Sequence, residues 1–280
     1  MEINRFELDN GLRVVHCRDK ATAMVAVNTL YNVGARDEHP ELTGMAHLFE
    51  HLMFGGSVNV EDFDGELSAA GGVSNAWTSN DFTNFYDILP AVNIETALWL
   101  ESDRMLQLGF SEKSLAVQQS VVIEEFKQVC LNRPYGDMEH AFRNMAYKSH
   151  PYRFPVIGKE FSHIEKVVPD DVRSWFYSHY APNNAVLAVC GNVEFGLLRE
   201  LVEKWYGSIP RRDIAPRLYA NEPLPDSPRF VEMSGNVPQT ALNIAYPMAQ
   251  YGEMGYFAAD ILSDILANGK SSRFYRRLLL

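Results

Sequence analysis

The sequence predicts an α+β fold, and three observations carry that prediction. Short strand-like runs open the chain at 3–8, 12–17 and 23–32. Helical periodicity dominates from 93 to 148. A continuous apolar run, Asn184 to Cys190, then reads as a buried strand between two helical segments.

The elements follow in order. The strands at 3–8 and 12–17 meet at Asn10-Gly11, a pair suited to a tight hairpin turn. Residues 23–32 make a longer, mostly apolar strand, and Gly34 to Glu38 a polar loop. After Thr43-Gly44 a helix carries Met45, Leu48, Phe49 and Leu52, and Gly55-Gly56 ends it. A second helix spans about 60–70 and stops at Gly71-Gly72. Trp, Thr, Phe and Tyr mark strands near 73–78 and 82–88. Helices are expected over 93–107, 111–130 and 135–148, and another to Tyr180 with Asp170 as its cap. Gly191-Asn192 closes the strand that begins at Asn184, and a helix follows from Glu194 to Tyr206.

Residues 207–228 change character. Pro210, Pro216, Pro223, Pro225 and Pro228 stand among mixed charges, as in a linker. Strands are expected at 229–234 and 239–246, and a helix at 254–267. Strands before a helix repeat the way the first half begins. The expected organisation is a complete α+β domain at 1–210, a linker at 211–228 and the opening of a second domain at 229–280. The last residues, Arg276 to Leu280, read as helix with no Gly, Asn or Pro to end it, so a truncated chain is expected.

Composition narrows the function classes. With 46% apolar and 22% charged residues the chain is of the soluble globular type. Its net charge of −11 argues against a nucleic-acid binder, although a basic peptide substrate remains compatible. Cys17, Cys130 and Cys190 are odd in number, widely spaced and without a C-x-x-C pair, so neither a disulfide framework nor a Cys-based zinc site is expected. The N-terminus has no signal-peptide pattern and no window reaches the length of a membrane span. The expectation is therefore a cytoplasmic location, or a periplasmic one if a leader has been removed.

The strongest chemical signal is His47-Leu48-Phe49-Glu50-His51, an H-x-x-E-H pattern. Positions i and i+4 share one helix face, so both imidazoles can reach one metal ion, with Glu50 beside a water on that ion. Two solvated histidines on a surface helix are the ordinary alternative. The apolar surroundings (Met45, Ala46, Leu48, Phe49, Leu52, Met53, Phe54) argue for burial, and buried His and Glu need partners. A third ligand is best sought in Val121 to Phe126 on the long helix, from Glu124 or Glu125. Val121, Val122 and Phe126 suggest an apolar face with Glu125 beside it. His140, His150, His163 and His179 stand in polar or loop contexts and are read as non-ligands.

The segment Gly44 to Ser57 resembles the active-site helix of the inverzincin metallopeptidases, the pitrilysin, insulin-degrading enzyme and mitochondrial processing peptidase family, and is nearest its shorter bacterial type. Leu8 to Val15, Gly72 to Thr78 with Thr83 to Tyr86, Val121 to Phe126 and Gly269 to Tyr275 resemble further family segments. The resemblance implies a mixed sheet with helices packed on it, and two related domains enclosing a cavity. It implies that His47, His51 and Glu125 hold one Zn2+ per chain and that Glu50 is the catalytic base. Asn75 and Ala76 would lie on an edge strand that pairs with an extended substrate. Where the family often carries a glutamate seven residues before the ligand, this chain has Gln118. The implied activity is zinc-dependent endopeptidase action on peptides or unfolded segments. A homodimer, or pairing with a second family-type half, would complete the chamber. A non-catalytic scaffold or partner subunit is the alternative, and the intact His47, Glu50, His51 and Glu125 favour the enzyme.

Overall fold

In the computed structural model, residues 2–109 and 111–280 are described. One compact unit comprises the residues up to Glu222 together with Pro228–Asn236, and a second comprises Pro223–Ser227 and Val237–Leu280.

The first unit begins with β1 (Ile3–Glu7) and β2 (Arg13–Arg18), an antiparallel pair. Their connection, residues 8–12, is longer than a two-residue turn. Gly11 adopts φ +88° there, and a Cβ would lie 2.8 Å from the Asn183 Cβ, so glycine is required twice over. The Asn10 carboxamide donates to the Tyr206 and Ile209 carbonyls. β3 (Met24–Tyr31) buries every second residue, which is the period of a strand with one covered face. α1 (Met45–Leu52) and α2 (Phe63–Ala69) follow, and Asp62 caps α2 by accepting from the Gly65 N–H at 2.9 Å.

Next come β4 (Val73–Thr78), β5 (Thr83–Pro90) and α3 (Ile94–Leu106). α4 (Glu112–Phe126) starts on a Ser111 cap, where the side chain accepts from the Ser114 N–H. It runs into a π-type turn at Lys127–Leu131. Then come α5 (Met138–Ala146), α6 (Phe161–Glu165), α7 (Pro169–His179), β6 (Ala185–Gly191) and α8 (Phe195–Tyr206). The cap of α7 differs from expectation. Asp171 rather than Asp170 accepts from the Val168 N–H, because Pro169 takes the first helical position and sets Asp171 at the third.

The sheet is mixed, as the resemblance implies, with strand order β1-β2-β6-β3-β5-β4. β2 and β6 run parallel and the other neighbours antiparallel. β4 therefore forms one edge. The core holds Val14, Val25, Val27, Tyr31, Phe85, Leu89, Leu187 and Val189 from the strands, with Leu48, Phe49, Leu98, Phe176, Leu198 and Val202 from the helices.

This core contains charge. Arg104 on α3 is buried, pairs with Glu101 one turn earlier, and lies 4.4 Å from both the Phe63 and the Phe85 ring centroids. Asp87 is also fully buried, and its carboxylate oxygens find no donor among the described residues. Burial, reinforced by the nearby Glu101, pushes the Asp87 carboxyl well above the usual range. Two carboxyls beside one guanidinium are neutral together when Asp87 keeps its proton and donates it to Glu101.

The compact unit extends past the expected boundary at 210. Arg212 donates to the Phe176, Leu106 and Tyr180 carbonyls, Tyr219 donates to Asp37 at 2.6 Å, and Glu222 accepts from the Lys148, Ser149 and His150 N–H groups. In the second unit α9 (Met254–Ala267) forms as expected. The strands expected at 229–234 and 239–246 do not form. A strand needs a ladder partner, and no described strand forms a ladder with these segments.

The double variant Glu101→Gln with Asp87→Asn removes both carboxyls that can compensate Arg104. It is expected to lower the unfolding free energy by about 3–5 kcal/mol, since an uncompensated buried charge remains; urea titration of both proteins measures the difference.

Candidate metal centre

Two helices build the site. On α1, His47 and His51 project from one face at i and i+4, their rings 4.9 Å apart and nearly perpendicular. The opposite face of α1 is anchored by Leu48, Phe49 and Leu52, with Phe49 against Tyr180 at 4.4 Å between centroids. α4 packs on α1 and supplies Glu125. Gln119, on α4, donates to the Ile164 and Val167 carbonyls at 2.8 and 2.9 Å, which ties the helix to the end of α6.

The structure places the two glutamates differently. Glu124 is exposed and pairs with Lys127 at 2.6 Å. Glu125 turns inward, its Oε2 atom 3.5 Å from Nε2 of both His47 and His51. The apolar face of α4 is Leu115, Val122 and Phe126; Val121, expected on it, is exposed. Among the described residues, His47, His51 and Glu125 form the one group of His, Cys, Asp or Glu that could hold a metal ion, with donor atoms within 4.8 Å of one another. An ion bound tetrahedrally at about 2.1 Å places its ligands about 3.4 Å apart, close to the two observed separations. Two imidazoles and one carboxylate leave a fourth tetrahedral position, which is the donor set of an open site.

Protonation suits that purpose. Burial lowers the His47 pKa and so favours the neutral ring that ligates. A hydrogen bond from His51, with His47 close by, holds the Glu125 carboxyl below its usual range, in its anionic form. The Glu50 carboxyl is pushed up by burial, although a hydrogen bond from Thr78 works against the shift. Thr78 Oγ1 donates to Glu50 Oε2 at 2.5 Å and fixes that carboxylate to the end of β4.

The other predicted residues fall as follows. Asn75 and Ala76 are on the edge strand β4, where the Asn75 side chain accepts from the Ala76 N–H at 2.8 Å. Gln118 lies two turns before Glu125 on α4 and is half-buried. The histidines read as non-ligands engage other groups: His140 the Gly158 carbonyl, His150 the Tyr152 N–H, His163 Thr43, and His179 the Trp175 carbonyl. Cys17 and Cys190, far apart in sequence, are register partners on β2 and β6. Two contributors were absent from the sequence reading. Thr78 looked like an ordinary strand residue, and Glu38 like part of a polar loop. Glu38 is buried and accepts from the Gly44 and Ala46 N–H groups, at 2.8 Å each.

Comparison with known proteins adds the family. A model described as insulinase (peptidase family M16) matches residues 13–159, and one described as the peptidase M16 inactive domain matches residues 166–279. A zinc protease of Helicobacter pylori, PqqE, is 32% identical over 95% of this chain and 61% of its own length. An uncharacterized zinc protease of Bacillus subtilis, YmxG, is 25% identical over 98% of this chain and 66% of its own. This chain thus spans less than two thirds of these relatives. The crystal structure of a protease from Helicobacter pylori superposes with a TM-score of 0.89 at 29% identity, covering 99% of this chain and 68% of that one. Pitrilysin shares the fold, with a TM-score of 0.71 at 18% identity over 79% of this chain and 24% of its own.

Glu125→Ala is expected to reduce metal retained after dialysis by more than about tenfold, and Glu124→Ala to leave it near wild type. Elemental analysis of the two variants checks this, and equal losses would remove the distinction.

Proposed function

The chain belongs to the insulinase family of peptidases, M16, and from that premise we propose that it is the zinc-binding part of a metalloendopeptidase acting on peptides or unfolded segments. The observation that carries the reading is the approach of Glu125 to both His47 and His51, with Glu50 beside them. His47, His51 and Glu125 would hold the ion, and zinc bound there would supply Lewis acidity toward a water and the scissile carbonyl. Glu50 takes the proton from the attacking water and later delivers it to the leaving amine nitrogen. Its raised pKa suits a group that must both accept and release that proton. Thr78 keeps the carboxylate aimed while the proton is in transit.

β4 gives an extended peptide a sheet edge to pair with, since an edge strand has backbone groups without a ladder partner. Asn75 and Ala76 are the residues we assign to this role. The Ala76 N–H is held by Asn75 and must be released before a substrate carbonyl can accept it. Recognition through the backbone confers little sequence preference, which fits a peptidase of unfolded segments. We read residues 229–280 as the opening of a second family-type domain, so the chamber is completed by a second half, either further along the same polypeptide or in a partner copy.

Glu50→Gln is expected to retain zinc and to lower the cleavage rate of an unstructured peptide by about 10²–10⁴-fold, the range of a lost general base. Cleavage of a quenched fluorescent peptide alongside zinc analysis measures both. Wild-type cleavage by the variant would take the role of base away from Glu50.

A further inference from the structure

We propose that Glu38 is a positioning residue for the site: a clasp from outside the helix that fixes the first turn of α1 and thereby sets His47 against Glu125. The proposal rests on the reading of His47, His51 and Glu125 as zinc ligands.

α1 is short, and its start has no cap of its own. Gly44 precedes it at φ +89°, carries no side chain, and cannot satisfy the free N–H groups of the first turn. Glu38, six residues earlier, does so. Its Oε2 accepts from the Gly44 N–H and its Oε1 from the Ala46 N–H, both at 2.8 Å, and Ala46 directly precedes His47. A local cap would tie the helix only to itself. Glu38 ties it to a different part of the fold. The turn just before Glu38 is pinned to the loop between β4 and β5: the Ala35 N–H donates to the Ser79 carbonyl, the Arg36 N–H to the Asn80 carbonyl, and the Arg36 side chain pairs with Asp81 at 2.7 Å. Thr78, immediately before that loop, holds Glu50. One loop therefore locates the proposed base through Thr78 and the ligand helix through Glu38.

The carboxyl group is required because both of its oxygens accept. A carboxamide of the same shape has one acceptor, and its NH2 would face the other backbone N–H. Burial raises the Glu38 carboxyl pKa, and the two N–H donors oppose that shift by favouring the carboxylate, the form in which both oxygens accept. Burial of this kind is tolerated only where the contacts made by the group hold it in place.

The test compares this chain with Glu38→Gln, Glu38→Asp and Leu198→Ala. Leu198 is buried on α8 and belongs to no part of the site, so its variant controls for lost stability. Zinc affinity is measured by competition with a chromophoric chelator, and stability by thermal unfolding of the metal-free proteins. Glu38→Gln is expected to weaken zinc binding by about tenfold or more, the scale of a lost supporting hydrogen bond. Leu198→Ala should lower the melting temperature yet bind zinc as wild type does. Glu38→Asp, which keeps both acceptors on a shorter stem, should fall between them, and it carries the measurement if the Gln variant does not fold. Zinc affinity in Glu38→Gln equal to wild type, or reduced no more than in Leu198→Ala, would overturn the proposal. If the wild-type chain binds no zinc, or Glu125→Ala binds it equally well, the zinc reading itself fails and this inference falls with it.

Discussion

The site depends on holding α1 against α4. His47 and His51 come with one helix and Glu125 with the other, and 73 residues lie between His51 and Glu125. Helix geometry places the two imidazoles relative to each other at no cost to the rest of the chain. Nothing local places the carboxylate. That task falls to the packing of α4 on α1 and to Gln119, which anchors α4 to the carbonyls ending α6. The tolerance is narrow, because an ion accepts ligand distances within only a few tenths of an ångström. Aliphatic packing alone leaves a helix some freedom to slide, whereas hydrogen bonds to fixed backbone groups remove it. The structure uses both kinds of contact: Glu38 meets the start of α1, and Gln119 anchors the middle of α4.

The same logic accounts for the polar groups inside the core. Ser57 and Asn59, in the segment after α1, both donate to Asp103, which fixes the exit of α1 to α3. One residue further along α3, Arg104 lies between the rings of Phe63 and Phe85, and its charge is met by Glu101. A buried ion pair of this kind adds little net stability over an apolar replacement, but it tolerates few alternative arrangements. α3 thus carries charges that orient its neighbours, set between the elements on either side of the site.

The helix of the proposed ligands was legible in the sequence because its pattern is local. H-x-x-E-H places two imidazoles and a carboxylate within one turn and a half, and the glycines after it mark where the helix stops. The choice between Glu124 and Glu125 was less legible. They differ by 100° of helix rotation, and the apolar face was misassigned through Val121, which is exposed. Lys127 pairs with Glu124 one turn later and draws it toward solvent, a local signal available in the sequence. The contacts of Thr78 and Glu38 were not legible at all. Thr78 meets Glu50 across 28 positions that the folded chain brings together, Glu38 reaches six and eight positions on across a loop with no regular period, and neither residue type is unusual where it stands. The pairing of Cys17 with Cys190 is of the same kind, since the parallel contact of β2 with β6 brings distant residues together.

The segment after 210 shows how composition can mislead in both directions. Its prolines and mixed charges read as a free linker, and in backbone conformation it is irregular. Yet Arg212, Tyr219 and Glu222 each meet groups of the first unit, and Glu222 accepts three successive backbone N–H groups, an arrangement that holds its pKa down to about 2. Proline is compatible with this, because a chain already restricted in φ loses less entropy when it is strapped down. Residues 239–246 are the converse case. Leu242, Ile244 and Tyr246 alternate with the period of a strand, but periodicity records only which face could be buried. A strand forms when a neighbour offers its N–H and C=O groups in register, and no described residue does so here.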